Sequence, residues 1–350
     1  MWWMPLWMWR AGVTRCVLNS TEQALGDRCF FYAGEYVQRN FIFLLEIAIM
    51  WGYESILNSC MMVKKLKNEH VRLLMDYKII SDSSCDLTPS MKKDLDVQIA
   101  PLTMMLGNDE FVDNEALDVD KFIAKMKEYK GQAKSSCPSP YDYIEKHDKE
   151  STSFVVTLSS KLSGSYNSAC IAKGMLEEQG VESHVFDSKS ASAGQLLIIL
   201  KLRELINSGH QKVEIIKHID EFIKKMKTFF VLENLDNMIK NGRMGKIAAL
   251  IAGVLNIRLV LRADANGEIA LFSKARGAQQ AIIKLAETIG ETCHDTKDKI
   301  LAITHCNNLK QVNKLVEIVK EKYAFKEIVV APTKGLSSMY ANEGGIIIAF

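Results

Sequence analysis

From residue 77 to the C-terminus, short apolar runs alternate with stretches whose apolar residues recur at helical spacing. The apolar runs have the length of strands, which are predicted at 77–81, 98–105, 153–158, 184–186, 228–232, 257–262, 269–273, 300–304, 327–331 and 345–350. Helices are predicted at 119–129, 163–178, 193–208, 213–225, 278–291 and 309–323. Strands that alternate with helices in this way indicate an α/β fold with mainly parallel sheets.

The composition is typical of a globular protein. Hydrophobic residues make up 48% of the 350 residues, charged residues make up 25%, and there are six prolines. Such a chain can bury enough apolar surface to offset the conformational entropy lost on folding. The length exceeds what one ordinary core holds, so we predict two α/β domains, at 76–226 and 227–350.

The first 75 residues differ in composition from the rest of the chain, because all five tryptophans lie within the first 51 residues. We interpret residues 1–75 as an N-terminal extension outside the fold, with Met75 as a candidate initiator; the alternative is an amphipathic accessory segment. The apolar run 41–51 carries Glu46 at its centre and is shorter than the roughly twenty residues that a membrane span needs. No membrane span or signal peptide is predicted.

Charge and cysteine usage exclude several classes of function. The 44 basic and 42 acidic residues leave a net charge of +2, which does not supply the broad basic face of a nucleic-acid-binding protein. The eight cysteines are scattered, without the paired spacing of a zinc site or a disulfide scaffold. Neither a metal nor a nucleic-acid partner is predicted, and scattered thiols favour a cytoplasmic location.

Three serine-rich turns carry the strongest functional pattern, at residues 134–140, 159–166 and 187–192. The second and third each lie between a predicted strand and a predicted helix, where free N–H groups and the helix dipole favour an anion. In the first, Pro138 and Pro140 should prevent a local helix and hold the hydroxyls on a stiff loop. Each turn alone is typical of a helix cap, whereas together they indicate a site for one small anionic group.

The residues after the third turn suggest what the rest of the ligand is. Residues 196–200 are all Leu or Ile, which is typical of a helix buried on every side. Such a helix is either a central core element or one wall of a long apolar cavity. The cavity would suit a fatty acyl chain, to which each buried methylene contributes about 0.8 kcal/mol.

Several nucleotide and hydrolase motifs are absent from the sequence. There is no G-x-x-x-x-G-K-[ST] loop, no G-x-G-x-x-G fingerprint and no G-x-S-x-G elbow. Among the histidines, His305 at the end of a predicted strand is the best candidate for acid–base chemistry. No motif places it near a serine.

The combined motifs resemble the DegV family, in order, from about Tyr77 to Phe350. The matching segments are YKIISDSSCDL (77–87), SSCPSP (135–140), LSSKLSGSYNSA (158–169), VFDS (185–188), LENL (232–235), NGR (241–243), LNI (255–257) and KARG (274–277). The resemblance implies two α/β domains that hold a fatty acid between them. It further implies a lipid-binding carrier that is not itself an enzyme, and that presents the acyl carboxylate to a separate ATP-dependent fatty acid kinase for phospholipid synthesis.

The resemblance also implies which residues hold the carboxylate. Ser135 and Ser136 correspond to the family's Thr-Ser pair, and Ser163 and Gly164 to its Leu-Ser-Gly-Thr turn. Arg243 corresponds to the arginine of the Gly-Arg motif, whose guanidinium would compensate the ligand's charge. The bound fatty acid is the ligand, and no cofactor, metal or catalytic residue is implied.

Three further positions concern the partner and the departures from the family pattern. Arg276 corresponds to an arginine that engages the kinase. Cys137 stands where the family usually has Gln, and Tyr340 stands where many members have a histidine that touches the carboxylate. A phenol donates one hydrogen bond but carries no positive charge near neutral pH, so head-group binding is expected to be weaker here.

Two other functions remain open on the sequence alone. A phosphosugar- or phosphate-binding module would use the same serine-glycine turn to hold a phosphate, without an apolar tunnel. A serine acyl hydrolase would need His305 or another base within about 3 Å of Ser163.

Overall fold

The structure is a computed structural model that describes residues 77–245 and 256–350. The predicted extension 1–75 and its candidate initiator lie outside the described residues. Residues Arg72–Phe350 form one compact unit. The division into domains at residue 226 stays a prediction, although the strands of the two larger sheets lie on opposite sides of that position in the chain.

The described residues contain thirteen strands and ten α-helices. The strands are β1 (Tyr77–Asp82), β2 (Val97–Ala100), β3 (Thr103–Leu106), β4 (Asp109–Val112), β5 (Lys134–Ser136), β6 (Thr152–Thr157), β7 (Ser183–Asp187), β8 (Thr228–Val231), β9 (Ile257–Ala263), β10 (Ile269–Arg276), β11 (Ile300–His305), β12 (Glu327–Pro332) and β13 (Ile346–Ala349). The helices are α1 (Pro89–Asp94), α2 (Val119–Glu128), α3 (Pro140–Ile144), α4 (Ser165–Glu177), α5 (Ala193–Asn207), α6 (Lys212–Lys225), α7 (Asp236–Lys240), α8 (Gly277–Thr292), α9 (Leu309–Lys322) and α10 (Gly335–Ala341). The mixed α/β class is confirmed.

The first sheet has the order β2-β1-β6-β7, and all its strands are parallel. Its central strands are buried along most of their length, as expected where both faces of a sheet are covered. Parallel strands end together at one edge, which brings the loops that follow β1, β6 and β7 close to one another. Two of the three serine-rich turns are among these loops.

The second sheet corrects the prediction of mainly parallel sheets. Its order is β10-β9-β8-β13-β11-β12, and only the β11–β12 pair is parallel. The strands β9 and β10 form a hairpin across a short turn, which fixes an antiparallel pairing. Apolar runs show that strands exist but do not encode the direction of a neighbouring strand.

A small third sheet, β4-β3-β5, is antiparallel and carries the first serine-rich turn. The single strand predicted at 98–105 is divided into β2 and β3 around Pro101, which has no N–H to donate to a ladder. The prediction that prolines prevent a local helix at 134–140 is wrong for Pro140. This residue begins α3, because the first helical position needs no N–H donor and Ser139 caps the helix.

The helix α5 lies between the two larger sheets. It contacts β1 and β6 on one side and β11 and β13 on the other. Its apolar residues Leu196–Ile199 are buried in the largest hydrophobic cluster, so it is apolar all round because both faces are covered. None of the described helices is long and apolar enough to cross a membrane.

Replacing Ile198 in α5 with alanine is expected to destabilise the protein by about 2–5 kcal/mol, because the fully buried side chain would leave a cavity between two sheets. Ile171→Ala on α4 is the matched control: that side chain is 48% exposed, and the expected change is within about 0.5 kcal/mol. Urea unfolding measures both free energies. Equal effects of the two substitutions would contradict the burial of α5.

Candidate functional site

A cavity of about 110 Å³ lies between the second sheet, the loops that follow β1, β6 and β7, and the helix α10, next to the start of α5. At roughly 10–15 Å³ for each water-sized group it has room for several such groups, and we call it the slot. Its walls are mainly apolar, with hydroxyl groups at intervals. The lining residues are Ser84, Leu102, Ser135, Leu158, Leu162, Ser163, Ser190, Ala191, Ser192, Thr228, Phe230, Leu232, Met238, Arg243, Ala263, Gly267, Glu268, Ile269, Leu336, Ser337, Tyr340, Ala341 and Ile347.

One group of polar side chains in this cavity is centred on Tyr340. The Ser135 Oγ and Tyr340 Oη atoms lie 3.0 Å apart, at hydrogen-bond distance. The Arg243 guanidinium carbon lies 5.9 Å from the centre of the Tyr340 ring. Ser163 also lines the cavity. We call Ser135, Ser163, Arg243 and Tyr340 the head-group cluster; they come from four separate segments of the chain.

Backbone carbonyls fix the orientation of Arg243. Its Nε atom donates to the Leu162 carbonyl at 3.1 Å, and its Nη1 atom donates to the Asn241 carbonyl at 2.7 Å. No partner of the Nη2 atom is found among the described residues. The guanidinium is therefore held in place with one donor nitrogen available to an anion.

Of the two predicted serines on β5, only Ser135 lines the cavity. Adjacent residues of a strand point to opposite faces, and Ser136 is exposed. Ser135 pairs with the fully buried Met104 of β3, which places it on the inner face of the third sheet. Ser136 is not among the residues that line the cavity, and its contact with a carboxylate stays a prediction.

The second serine-rich turn presents Ser163 to the cavity. Its Oγ accepts from the backbone N–H of Ser165 at 3.2 Å and lies 3.0 Å from the Ser165 Oγ. Gly164 is not among the cavity residues. A Cβ at this position would lie 3.1 Å from the Cys137 Sγ, so the glycine lets this turn pack closely against the segment after β5.

Two buried carboxylates anchor the helix that carries Tyr340. The Asp113 side chain accepts from the backbone N–H groups of Gly335 and Leu336, at 2.8 and 2.9 Å. The Asp86 Oδ1 accepts from the backbone N–H of Lys334 at 2.7 Å. The first N–H groups of α10 are thereby satisfied, and the helix is held against the cavity wall.

Burial raises the pKa of both carboxyls. The pKa of Asp86 is raised to about 7, mainly because the side chain is removed from water. The pKa of Asp113 is raised for the same reason, against the lowering effect of the N–H groups it accepts. Sequence analysis did not single out either residue, although an acidic residue in an otherwise apolar or serine-rich segment is a signal for a buried, hydrogen-bonded carboxylate.

Further hydroxyls line the cavity, on Ser84, Ser190, Ser192, Thr228 and Ser337. Ser190 and Ser192 belong to the third serine-rich turn, whereas sequence analysis missed Thr228 and Ser337. Ser192 has φ 56° and ψ −119°, which is strained for a residue other than glycine. Its hydroxyl contacts Asp86 and lies 2.5 Å from the Thr304 Oγ1. These contacts hold the strained turn at the start of α5.

The remaining predicted residues lie outside the cavity. Arg276 is exposed at the end of β10. The Cys137 Sγ lies 3.8 Å from the Ser168 Oγ. The His305 Nδ1 accepts from the Asn308 N–H at 3.2 Å, and burial lowers the pKa of this imidazole.

No histidine is found among the described residues that line the cavity. The hydrolase alternative therefore has no imidazole base next to Ser163 in the part of the chain that the structure describes. In the same residues, no group of His, Cys, Asp and Glu side chains could hold a metal ion.

Comparisons with known proteins agree with the fold. The sequence model of the DegV family of uncharacterised proteins matches residues 76–350, so the chain belongs to this family. A DegV domain-containing protein of Streptococcus gordonii is 38% identical over 280 residues, which cover 79% of this chain and 99% of the relative.

Solved structures of the family contain fatty acids. A DegV family protein from Ruminococcus gnavus with vaccenic acid is 38% identical, with a TM-score of 0.76, and the match covers 79% of this chain and 100% of that one. The Fatty Acid Kinase (Fak) B3 protein of Streptococcus pneumoniae, loaded with linoleic acid, is 34% identical, with a TM-score of 0.72. The match covers 79% of this chain and 99% of that one.

The raised pKa of Asp86 predicts a pH dependence of stability. Between about pH 4 and pH 7 the folded carboxyl keeps its proton while the unfolded one has lost it, so raising the pH favours unfolding in this window. Asp86→Asn is expected to remove a slope of at most about 1.4 kcal/mol per pH unit. Burial also raises the pKa of Asp82 and of Asp113, and both residues are present in the wild type and in the variant. The difference between the two profiles of unfolding free energy against pH therefore isolates Asp86. Parallel profiles would contradict a raised Asp86 pKa.

Proposed function

We propose that this protein binds a long-chain fatty acid and acts as a carrier, with the carboxylate at the head-group cluster and the acyl chain in the cavity. The observation that carries the proposal is the position of the one arginine among the described lining residues: it lies beside Tyr340, which is at hydrogen-bond distance from Ser135, and most of the other lining residues are apolar. A molecule with one anionic end and a long apolar remainder matches this distribution.

The cluster offers a carboxylate several donors of different kinds. Arg243 supplies positive charge and its Nη2 donor, and Ser135, Ser163 and Tyr340 supply hydroxyls. The Ser135–Tyr340 hydrogen bond keeps both hydroxyls near the position of the ligand. Tyr340 takes the position of a family histidine, so Arg243 carries the charge compensation at this site.

The apolar walls supply most of the affinity. Leu102, Leu158, Phe230, Leu336 and Ile347 line the slot, and burying an acyl chain against them contributes about 0.8 kcal/mol for each methylene. A phosphosugar would leave these walls without apolar contacts. The cavity therefore favours a fatty acid over the phosphosugar alternative, and the absence of a histidine among its described lining residues favours a carrier over a hydrolase.

The kinase partner is part of the proposal. The four residues of the head-group cluster are partly exposed, whereas Ser190 and Thr228 are buried, so a second protein could reach a carboxylate held by the cluster. The similar Streptococcus pneumoniae protein bears the name Fatty Acid Kinase (Fak) B3. We propose that this chain presents its fatty acid to such an ATP-dependent kinase, that exposed Arg276 takes part in docking, and that the carrier works in the cytoplasm.

Fatty-acid affinity measured by calorimetry on delipidated protein tests the head-group cluster. Arg243→Ala should weaken binding roughly tenfold to a hundredfold, because a charge-assisted hydrogen bond contributes about 1.5–3 kcal/mol. Arg262→Ala is the matched control: its guanidinium carbon lies 5.8 Å from the Phe272 ring, in a similar cation–π arrangement outside the cavity. If Arg243→Ala binds the fatty acid as tightly as the wild type does, the assignment of Arg243 to the binding site is wrong.

A coupled assay with a bacterial fatty acid kinase tests the docking role of Arg276. Arg276→Ala should leave fatty-acid affinity unchanged and lower the rate of acyl phosphate formation about fivefold, as expected for the loss of a contact of about 1 kcal/mol. Lys297→Ala, at another exposed position, serves as the control. An unchanged rate in Arg276→Ala would exclude this arginine from the kinase interface.

A further inference from the structure

The strand β8 and the residue after it run along the cavity. Thr228 and Phe230 lie in β8, Leu232 directly follows its last residue, and these three alternate positions all line the cavity. Leu232 is at the end that leads into α7 and on to Arg243, so it marks the head-group side. At about 3.3 Å per residue, Thr228 lies about 13 Å further along, at the far end.

Strand pairing identifies the other residues at the far end. Ala263 follows Arg262, which pairs with Phe229, and Ile269 pairs with Ala263. Thr228, Ala263 and Ile269 therefore form a row across three neighbouring strands, and all three line the cavity. Phe230 and Ile347 pair with each other and occupy the middle level.

A hydroxyl pair stands at this far end. The Ser190 Oγ and Thr228 Oγ1 atoms lie 2.8 Å apart, and both residues are almost fully buried. Gly194 in the first turn of α5 makes room for them, because a Cβ there would collide with the Ser190 side chain and lie 3.0 Å from the Thr228 Oγ1. An acyl chain that passed between the two hydroxyls would break their hydrogen bond, which leaves the buried Thr228 hydroxyl without this partner and Ser190 with only its 3.4 Å contact to the Ala191 carbonyl.

The turn between β9 and β10, residues 264–268, contacts the loops that follow β6 and β7 near this end of the cavity. The Ser159 hydroxyl donates to the Gly267 carbonyl at 2.7 Å, and the Lys189 Nζ donates to the Ala265 carbonyl at 3.2 Å. Gly267 is buried with φ +85°, and a Cβ there would lie 2.9 Å from the Lys189 Cα. The turn is thus packed tightly against the loops after β6 and β7. We therefore do not expect this end of the cavity to widen for a longer acyl chain.

We propose that the Ser190–Thr228 hydroxyl pair is the end wall of the acyl tunnel and sets the longest chain that the protein accepts. This inference rests on the proposed fatty-acid binding and adds the residues that select chain length. At about 1.3 Å per carbon for a zigzag of ~1.5 Å bonds, the 13 Å from Leu232 to Thr228 holds about ten extended carbons. The carbons between Leu232 and the head-group cluster add to that number, which gives a long-chain fatty acid.

A competition experiment tests the end wall. Delipidated full-length protein is incubated with an equimolar series of even-numbered saturated fatty acids, and the bound species are identified by native mass spectrometry. Thr228→Leu fills the far end, so the preferred acid should become shorter by one member of the series. Ser190→Ala removes one hydroxyl of the end wall and leaves the rest of the cavity unchanged. The preferred acid should become longer by one member of the series.

Thr228→Val is the matched control for Thr228→Leu, because it keeps the size of the side chain. It should not shorten the preferred acid. Circular dichroism melting establishes that each variant is folded, and Ser190→Ala keeps the test available if Thr228→Leu does not fold. If Thr228→Leu and Ser190→Ala both fold and keep the wild-type preference, the end-wall assignment is overturned while fatty-acid binding stays intact. A wild-type protein that binds no member of the series would overturn the proposed function itself.

Discussion

The separation of the two larger sheets by one buried helix is the constraint on which the rest of the structure depends. An α-helix with its side chains is about 10–12 Å across, so α5 holds the sheets at that distance along its length. Where α5 begins, at Ala193, the helix no longer fills the gap, and the cavity lies there. Its apolar walls combine one face of the second sheet, at Phe230 and Ile347, with loop and helix residues such as Leu102 and Leu336.

The polar end of the slot depends on carboxylates that do not face the ligand. Asp86 joins the segment before α10 to the strained turn before α5, through the Lys334 N–H and the Ser192 hydroxyl. Asp113 joins the first turn of α10 to the segment after β4. These two side chains fix the helix that brings Tyr340 to Ser135, so the head-group cluster is held in position by buried groups that are costly to ionise.

The sequence predicted the larger elements because burial leaves a strong periodic pattern. Every predicted strand and helix has a counterpart, since apolar runs and amphipathic stretches reflect contact with a core. Exposed β4 was missed because it has no such pattern, and the antiparallel second sheet was missed because pairing direction depends on connections in space. Four of the six carboxylate-binding candidates line one cavity, whereas Ser136 and Gly164 do not, because strand alternation and loop packing depend on a register that the sequence did not reveal. Asp86 and Asp113 act through backbone groups of a distant segment, which no local pattern shows.

A crystal structure of the protein with a saturated long-chain fatty acid tests the account most directly. We expect the carboxylate within hydrogen-bond distance of Ser135 and the Arg243 Nη2, and the chain extended beside β8 from Leu232 towards Thr228. A carboxylate at the Thr228 end, or a fatty acid bound outside the slot between the sheets, would contradict the account.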